Sequence, residues 1–199
     1  MSLKKGSNRA ETYKGYGVSS YRFTESSFST DICIFLSYIR IDRGIAVAIG
    51  DYIKNAGFDI YLDLNDQELE RAVQANDAAR ITRCIEDGVN ASSHLMCLVS
   101  EDTVQSWWVP YEIGFGKKGG KKIATLTLKD TRTLPAYLAI GEVLRGTKSL
   151  NDYLIRLLRN YIFESEIFRS YGSYGTGSSY LSSHTTSNHP LDAYLDWRG

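Results

Sequence analysis

No stretch of the 199 residues is apolar for long enough to cross a membrane, and no charge of either sign prevails. Lysine and arginine number 23, aspartate and glutamate 23, so the basic footprint of a nucleic-acid binder is absent. The first residues, Met1-Ser2-Leu3-Lys4-Lys5-Gly6, lack the apolar centre of a secretion signal. Cysteine occurs three times, as Cys33, Cys84 and Cys97, each among apolar neighbours. An odd count in such settings excludes a disulfide framework and reads as buried thiols of a reducing, cytoplasmic compartment. Histidine also occurs three times, and none stands at ligand spacing from a cysteine or carboxylate pair, so no metal site is expected.

What is present is an alternation. Ile32-Cys33-Ile34-Phe35-Leu36-Ser37 is apolar up to its serine, as a strand buried on both faces requires. Ile45, Ile49, Tyr52 and Ile53 then recur at helical spacing, and Gly57 suits a left-handed helix end. Phe58 to Leu62 reads as a second strand ending at Asp63, followed by a charged loop from Leu64 to Asn76. Asp77 can cap a helix buried through Ile81, Ile85 and Val89. His94 to Val99 and Lys122 to Leu128 are further strands, Val143 to Arg145 a short fifth, and Leu150 to Tyr161 traces a final amphipathic helix. Alternating strands and helices imply an α/β fold around a parallel sheet. Residues 1–30 read as a polar leader, packed at most through Tyr16, Tyr21 and Phe23. Residues 31–168 form the domain, and the Ser/Gly/Tyr-rich 169–199, whose end from Pro190 to Trp197 is apolar enough to dock, read as a flexible tail or a segment that folds on a partner or a neighbouring subunit.

One stretch carries chemistry: Ser106-Trp107-Trp108-Val109-Pro110-Tyr111-Glu112. Pro110 fits the first turn of a helix. Trp108 and Glu112, four apart, share one helical face. An aromatic surface beside a carboxylate suits a sugar or nucleotide; the same spacing also fits a core tryptophan and a solvated charge. Ligands of parallel α/β sheets bind beyond the carboxyl ends of the strands, where Ser37-Tyr38, Asp63 and Ser100 converge with the start of this helix. Gly114-Phe115-Gly116-Lys117-Lys118-Gly119 matches a dinucleotide fingerprint in the wrong order, with helix before and strand after. The histidines support no Ser–His–Asp triad.

Taken together, Asp31 to Tyr38, Gly57 to Asp63, Leu98-Val99-Ser100 and Ser106-x-Trp108-Val109-x-x-Glu112 resemble the TIR (Toll/interleukin-1 receptor) domain family over about residues 31–163. The resemblance implies a flavodoxin-like sheet of about five strands, order 2-1-3-4-5, with helices on both faces. In the enzymatic branch of the family the glutamate of W-x-x-x-E, here Glu112, cleaves the nicotinamide–ribose bond of NAD. NAD is then a substrate and no separate cofactor is required. Phe35, Ser37, Tyr38, Arg40, Asp63 and Trp108 correspond to positions lining the cleft. A carboxylate of ordinary pKa, about 4.3, would be ionised at neutral pH and could support an oxocarbenium-like ribose.

Two departures from the family pattern stand out: Ile39 where a basic residue often follows Ser-Tyr, and Glu68 to Ala72 without the usual glycine of the loop that gates the cleft. A TIR domain standing alone resembles the signal-producing subunit of Thoeris-type antiphage systems. That implies a cyclic ADP-ribose isomer as product, a phage-derived trigger, self-association, and a separate effector reached through the nucleotide. The alternatives are a non-catalytic TIR–TIR interaction module, an NAD-depleting hydrolase or virulence factor, and a nucleoside deoxyribosyltransferase.

Overall fold

A computed structural model describes residues 5–11, 31–63, 67–164, 177–184 and 188–197. Five parallel strands, β1 (Cys33–Ser37), β2 (Asp59–Tyr61), β3 (His94–Val99), β4 (Lys122–Thr127) and β5 (Glu142–Leu144), lie in the order β2-β1-β3-β4-β5. Every residue of β1 and β3 is buried, which explains their unbroken apolar sequence. Helices α1 (Arg43–Asn55) and α5 (Thr147–Glu164) cover one face of the sheet. Helices α3 (Ala78–Asn90) and α4 (Trp108–Lys118) cover the other. Strand alternation divides the side chains between them. Ile34, Leu36, Met96, Leu98 and Leu126 face α1 and α5, whereas Cys33, Phe35, Leu95, Cys97 and Val99 face α3 and α4. All three cysteines are free and buried.

The local signals hold. Gly57 sits at φ 95° after α1, and Gly120 at φ 71° after α4, conformations that favour glycine. Asp77 caps α3 by accepting from the Arg80 amide at 3.0 Å. The glycines of the reversed fingerprint belong to α4 and its end.

Three segments differ from expectation. The supposed loop from Leu64 to Asn76 contains a helix, α2 (Gln67–Gln74). Ala72 is its one fully buried side chain among those described, so apolar periodicity could not reveal it. Residues 5–11, assigned to a leader, lie along β2. The Ile60 amide donates to the Ser7 carbonyl at 2.9 Å, and Arg9 pairs with Asp59. Tyr16, Tyr21 and Phe23 lie outside the described residues. The tail docks on its own domain: α6 (Gly177–Ser183) brings Leu181, and the turns of 188–197 bring Leu191 and Leu195, into the core against α1 and α5. The Lys129 amide donates to the Tyr194 carbonyl and the Thr147 amide to that of Asp196. Among the described residues no helix is long and apolar enough to cross a membrane.

Candidate active site

The carboxyl ends of β1 and β3 mark the point where the sheet order reverses, and the polar residues gather there. Ser37 closes β1, with its register partner Cys97 in β3. Helix α4 crosses above them. The Ser106 hydroxyl accepts from the Val109 amide at 3.1 Å and fixes the helix start. Pro110 falls in the first turn, where its missing N–H costs nothing. Val109, Glu112, Ile113 and Gly116 form the buried stripe of this helix, so Glu112 occupies a position otherwise given to core residues. Gly116 lets α4 approach closely, since a Cβ there would sit 2.9 Å from Leu95 Cδ1.

Glu112 is only 8 % exposed. Its Oε2 accepts from the Ser37 hydroxyl at 2.5 Å. Burial pushes its pKa up to about 8, the Ser37 hydrogen bond works against that rise, and the negative charge of Asp63 adds to it. The ordinary value inferred from sequence is therefore replaced by one that keeps the carboxyl mostly protonated at neutral pH. Beside it the Tyr38 hydroxyl donates to Asp63 Oδ1 at 2.7 Å. Burial and the Asp63 carboxylate hold that phenol well above the usual tyrosine range. Ser37, Tyr38, Asp63 and Glu112 thus meet at one rim from three different segments.

The other expected residues stand apart from this group. Phe35 is 5 % exposed and stacks on Tyr61, with ring centroids 5.7 Å apart; it forms the floor beneath the site rather than its lining. Trp108 is 40 % exposed at the rim, edge-on to Tyr111 at 6.1 Å, so it neither fills the core nor shares the buried face of Glu112. Arg40 is exposed. The cation that acts on the Tyr38 hydroxyl is Arg43, three residues on, at the start of α1. Sequence reading missed it, although the pairing of a helix start with a preceding Ser-Tyr offered a signal.

It also missed Asp42. This carboxylate is buried and accepts from the Ser100 hydroxyl at 2.7 Å. Burial raises its pKa, with Asp102 adding to the rise and the Ser100 bond opposing it. The contact ties the end of the β1 segment to the turn that leads into Ser106 and α4. Cys97, beneath Glu112 and Ser37, has its thiol pushed up by burial and by the Glu112 charge, so it stays protonated. Among the described residues, no group of three or more His, Cys, Asp or Glu side chains could hold a metal.

Comparison with known proteins adds the family. The family model described as "TIR domain" matches residues 34–152. This chain belongs to the TIR domain family. Its fold is similar to the TIR domain of the Toll-related receptor TRR-2 from Hydra magnipapillata, with a TM-score of 0.50 and 14 % identity, covering 67 % of this chain and 98 % of that one. A relative in Bacillus cereus (strain MSX-D12), named probable 3' cyclic ADP-D-ribose synthase ThsB', is 26 % identical over 155 residues, covering 65 % of this chain and 79 % of the relative. Glu112 and the Ser37-Tyr38 pair therefore sit in a TIR fold where the strand ends and α4 bring them together.

Proposed function

We infer that this TIR domain cleaves NAD at the nicotinamide–ribose bond, with Glu112 as the catalytic carboxylate, and makes a cyclic ADP-ribose isomer as a signal in antiphage defence. The observation that carries the reading is a glutamate in a core position of α4, bonded to Ser37 at the switch point of the sheet. A carboxyl is costly to bury there, and a purely structural helix would place an apolar residue in the same slot. The relative named as a cyclic ADP-ribose synthase supports the choice of substrate and product class.

The chemistry follows from the charge. Burial favours a protonated Glu112; a bound nicotinamide cation beside it would draw the proton off. The C1'–N bond then breaks with its electron pair going to nicotinamide, which leaves neutral. The ribose becomes oxocarbenium-like, and the ionised Glu112 stabilises that positive charge in a site poor in water. Capture by water, with loss of a proton, gives ADP-ribose. Capture by a nucleophilic group of the same nucleotide closes a ring and gives a cyclic isomer. The Tyr38–Asp63 pair, one strand away, is suited to the ribose hydroxyls.

The test is incubation of purified protein with NAD, with and without lysate from phage-infected cells, and product analysis by chromatography and mass spectrometry. A cyclic isomer from wild type and none from Glu112→Gln is the expected result. Linear ADP-ribose alone would assign a depleting hydrolase. A second reading, an interaction module, draws support from the exposed apolar side chains of Ile41, Val104 and Trp107. Absence of turnover, with Glu112→Gln assembling as wild type does, would favour it.

A further inference from the structure

We propose that the N-terminal segment 5–11 is a positioning element of the cleft, acting through Asn8, whose side chain clamps Leu62 and thereby fixes the neighbouring Asp63 against Tyr38. The proposal rests on reading the cleft as an NAD site. It begins with the edge of the sheet. Strand β2 is an outer strand, and its free edge would leave backbone groups unpaired beside the core. Residues 5–11 cover that edge. The Gly6 amide donates to the Lys54 carbonyl at 2.9 Å, and the Ile60 amide to the Ser7 carbonyl at 2.9 Å. Asp59 accepts from the Ser7 amide at 2.8 Å, the Ser7 hydroxyl at 3.0 Å and Arg9 Nε at 2.9 Å. Gly6 is required by space: a Cβ there would lie 1.7 Å from the Phe58 carbonyl oxygen.

Past Ile60 the ladder is continued by a side chain. Asn8 is 6 % exposed. Its Oδ1 accepts from the Leu62 amide at 3.0 Å, and its Nδ2 donates to the Leu62 carbonyl at 2.9 Å. A primary amide is the smallest side chain that both donates and accepts in this geometry, so it stands in for a neighbouring strand. Leu62 is itself 3 % exposed, so without Asn8 both of its backbone groups would lose their partner away from water. The next residue is Asp63, which receives the Tyr38 hydroxyl. One wall of the cleft is therefore held by a residue more than fifty positions earlier, in a segment whose composition suggested no structure.

The clamp is tested in the full chain with Asn8→Ala, which removes both bonds, and Asn8→Asp, which keeps the shape and the acceptor but sets a carboxylate against the Leu62 carbonyl. Gly6→Val lifts the whole segment by collision with Phe58. All three variants should expose the Leu62 amide to hydrogen exchange and shift the NMR signal of the Tyr38 ring. The KM for NAD should rise about five- to tenfold while kcat changes less than about twofold, because the clamp shapes a binding wall rather than the reacting carboxylate. An exposed Leu62 amide with the Tyr38 signal and KM both unchanged would overturn the proposal. If wild type turns over no NAD, the NAD reading fails; the Tyr38 signal then decides the clamp alone, and an unmoved signal in Asn8→Ala overturns it.

Discussion

Both faces of the sheet are buried along β1 and β3, and they are used in opposite ways. Toward α1 and α5 the core runs from Ile32 to Leu195 and is mostly aliphatic, and the polar groups admitted there are neutral: the Tyr52 hydroxyl donates to Asn151 Oδ1 at 2.6 Å, His189 packs on Tyr52 with ring centroids 4.6 Å apart, and the buried Tyr153 hydroxyl has no hydrogen-bond partner among the described residues. Toward α3 and α4 the core is smaller, and its upper end gives a core position to an ionisable carboxyl. The first face stabilises the domain; the second gives up stability where a charge must later appear.

The sharpest way to break this contrast is Glu112→Gln. Turnover should fall by about 10³-fold or more, since the charge that supports the oxocarbenium is gone while the shape remains. The same substitution should make the protein more stable at alkaline pH. Between 4.5 and about 8 the folded chain keeps a proton on Glu112 that the unfolded chain has lost, so this group makes stability fall as pH rises through that window. Gln removes the slope, and urea unfolding at pH 8.5 should show a gain of about 2–4 kcal/mol. A variant less stable than wild type at that pH would mean that the buried carboxyl is structurally satisfied and not held at a cost.

On the other face Leu154→Ala should cost about 2–5 kcal/mol through the cavity it leaves, with kcat per folded molecule unchanged. Loss of activity in parallel with folded fraction is the expected pattern. A fall in kcat at temperatures where the variant is fully folded would show that the two faces are coupled.

The pH response separates the faces further. His189 and His94 are held near 4 by burial, well below the ordinary 6.5. Charges close to them work in the same direction: His184 for His189, against Asp192, and Lys122 for His94. In the window from 6.5 down to about 4 the unfolded chain binds protons that the folded chain refuses, so stability falls as pH drops. The acid limb thus belongs to buried histidines, one of them in the docked tail, and the alkaline slope to Glu112. His189→Gln should flatten the acid limb by about 2–3 kcal/mol and leave the alkaline slope intact, as read from denaturant midpoints across pH.

The sequence made one half of this legible. Strands buried on both faces are continuous apolar runs, so β1, β3 and β4 could be read directly, and their order followed from the family resemblance. The convergence of Ser37, Asp63 and Glu112 followed from the rule that strand ends face one rim. What could not be read is what depends on tertiary burial. Nothing in the spacing of Trp108 and Glu112 says that the carboxyl turns into the core and the indole stays at the rim. Helix α2 was hidden because Glu68, Glu70 and Arg71 surround the buried Ala72. The segment at 5–11 was hidden because backbone hydrogen bonds and the polar side chains of Ser7, Asn8 and Arg9 attach it, and these leave no apolar pattern; the end from Pro190 to Trp197 was legible as apolar enough to dock, but not where it docks.

The finest distinction concerns Ser37. Its hydroxyl donates to Glu112 and so favours the ionised carboxyl, opposing the effect of burial. Free-enzyme ionisation governs the pH dependence of kcat/KM, which should rise with an apparent pKa near 8. The profile of kcat should rise at lower pH, because the nicotinamide cation draws off the proton once NAD is bound. Ser37→Ala removes a hydrogen bond to the charged form alone. The limb of kcat/KM should therefore move to higher pH, and the rate at pH 7 should drop by about tenfold, the equivalent of one charge-assisted bond of about 1.4 kcal/mol. Raising the pH should restore most of the loss. A loss that is uniform across pH would instead make Ser37 a contact to the nucleotide, and a limb moved to lower pH would mean that its hydroxyl favours the protonated acid.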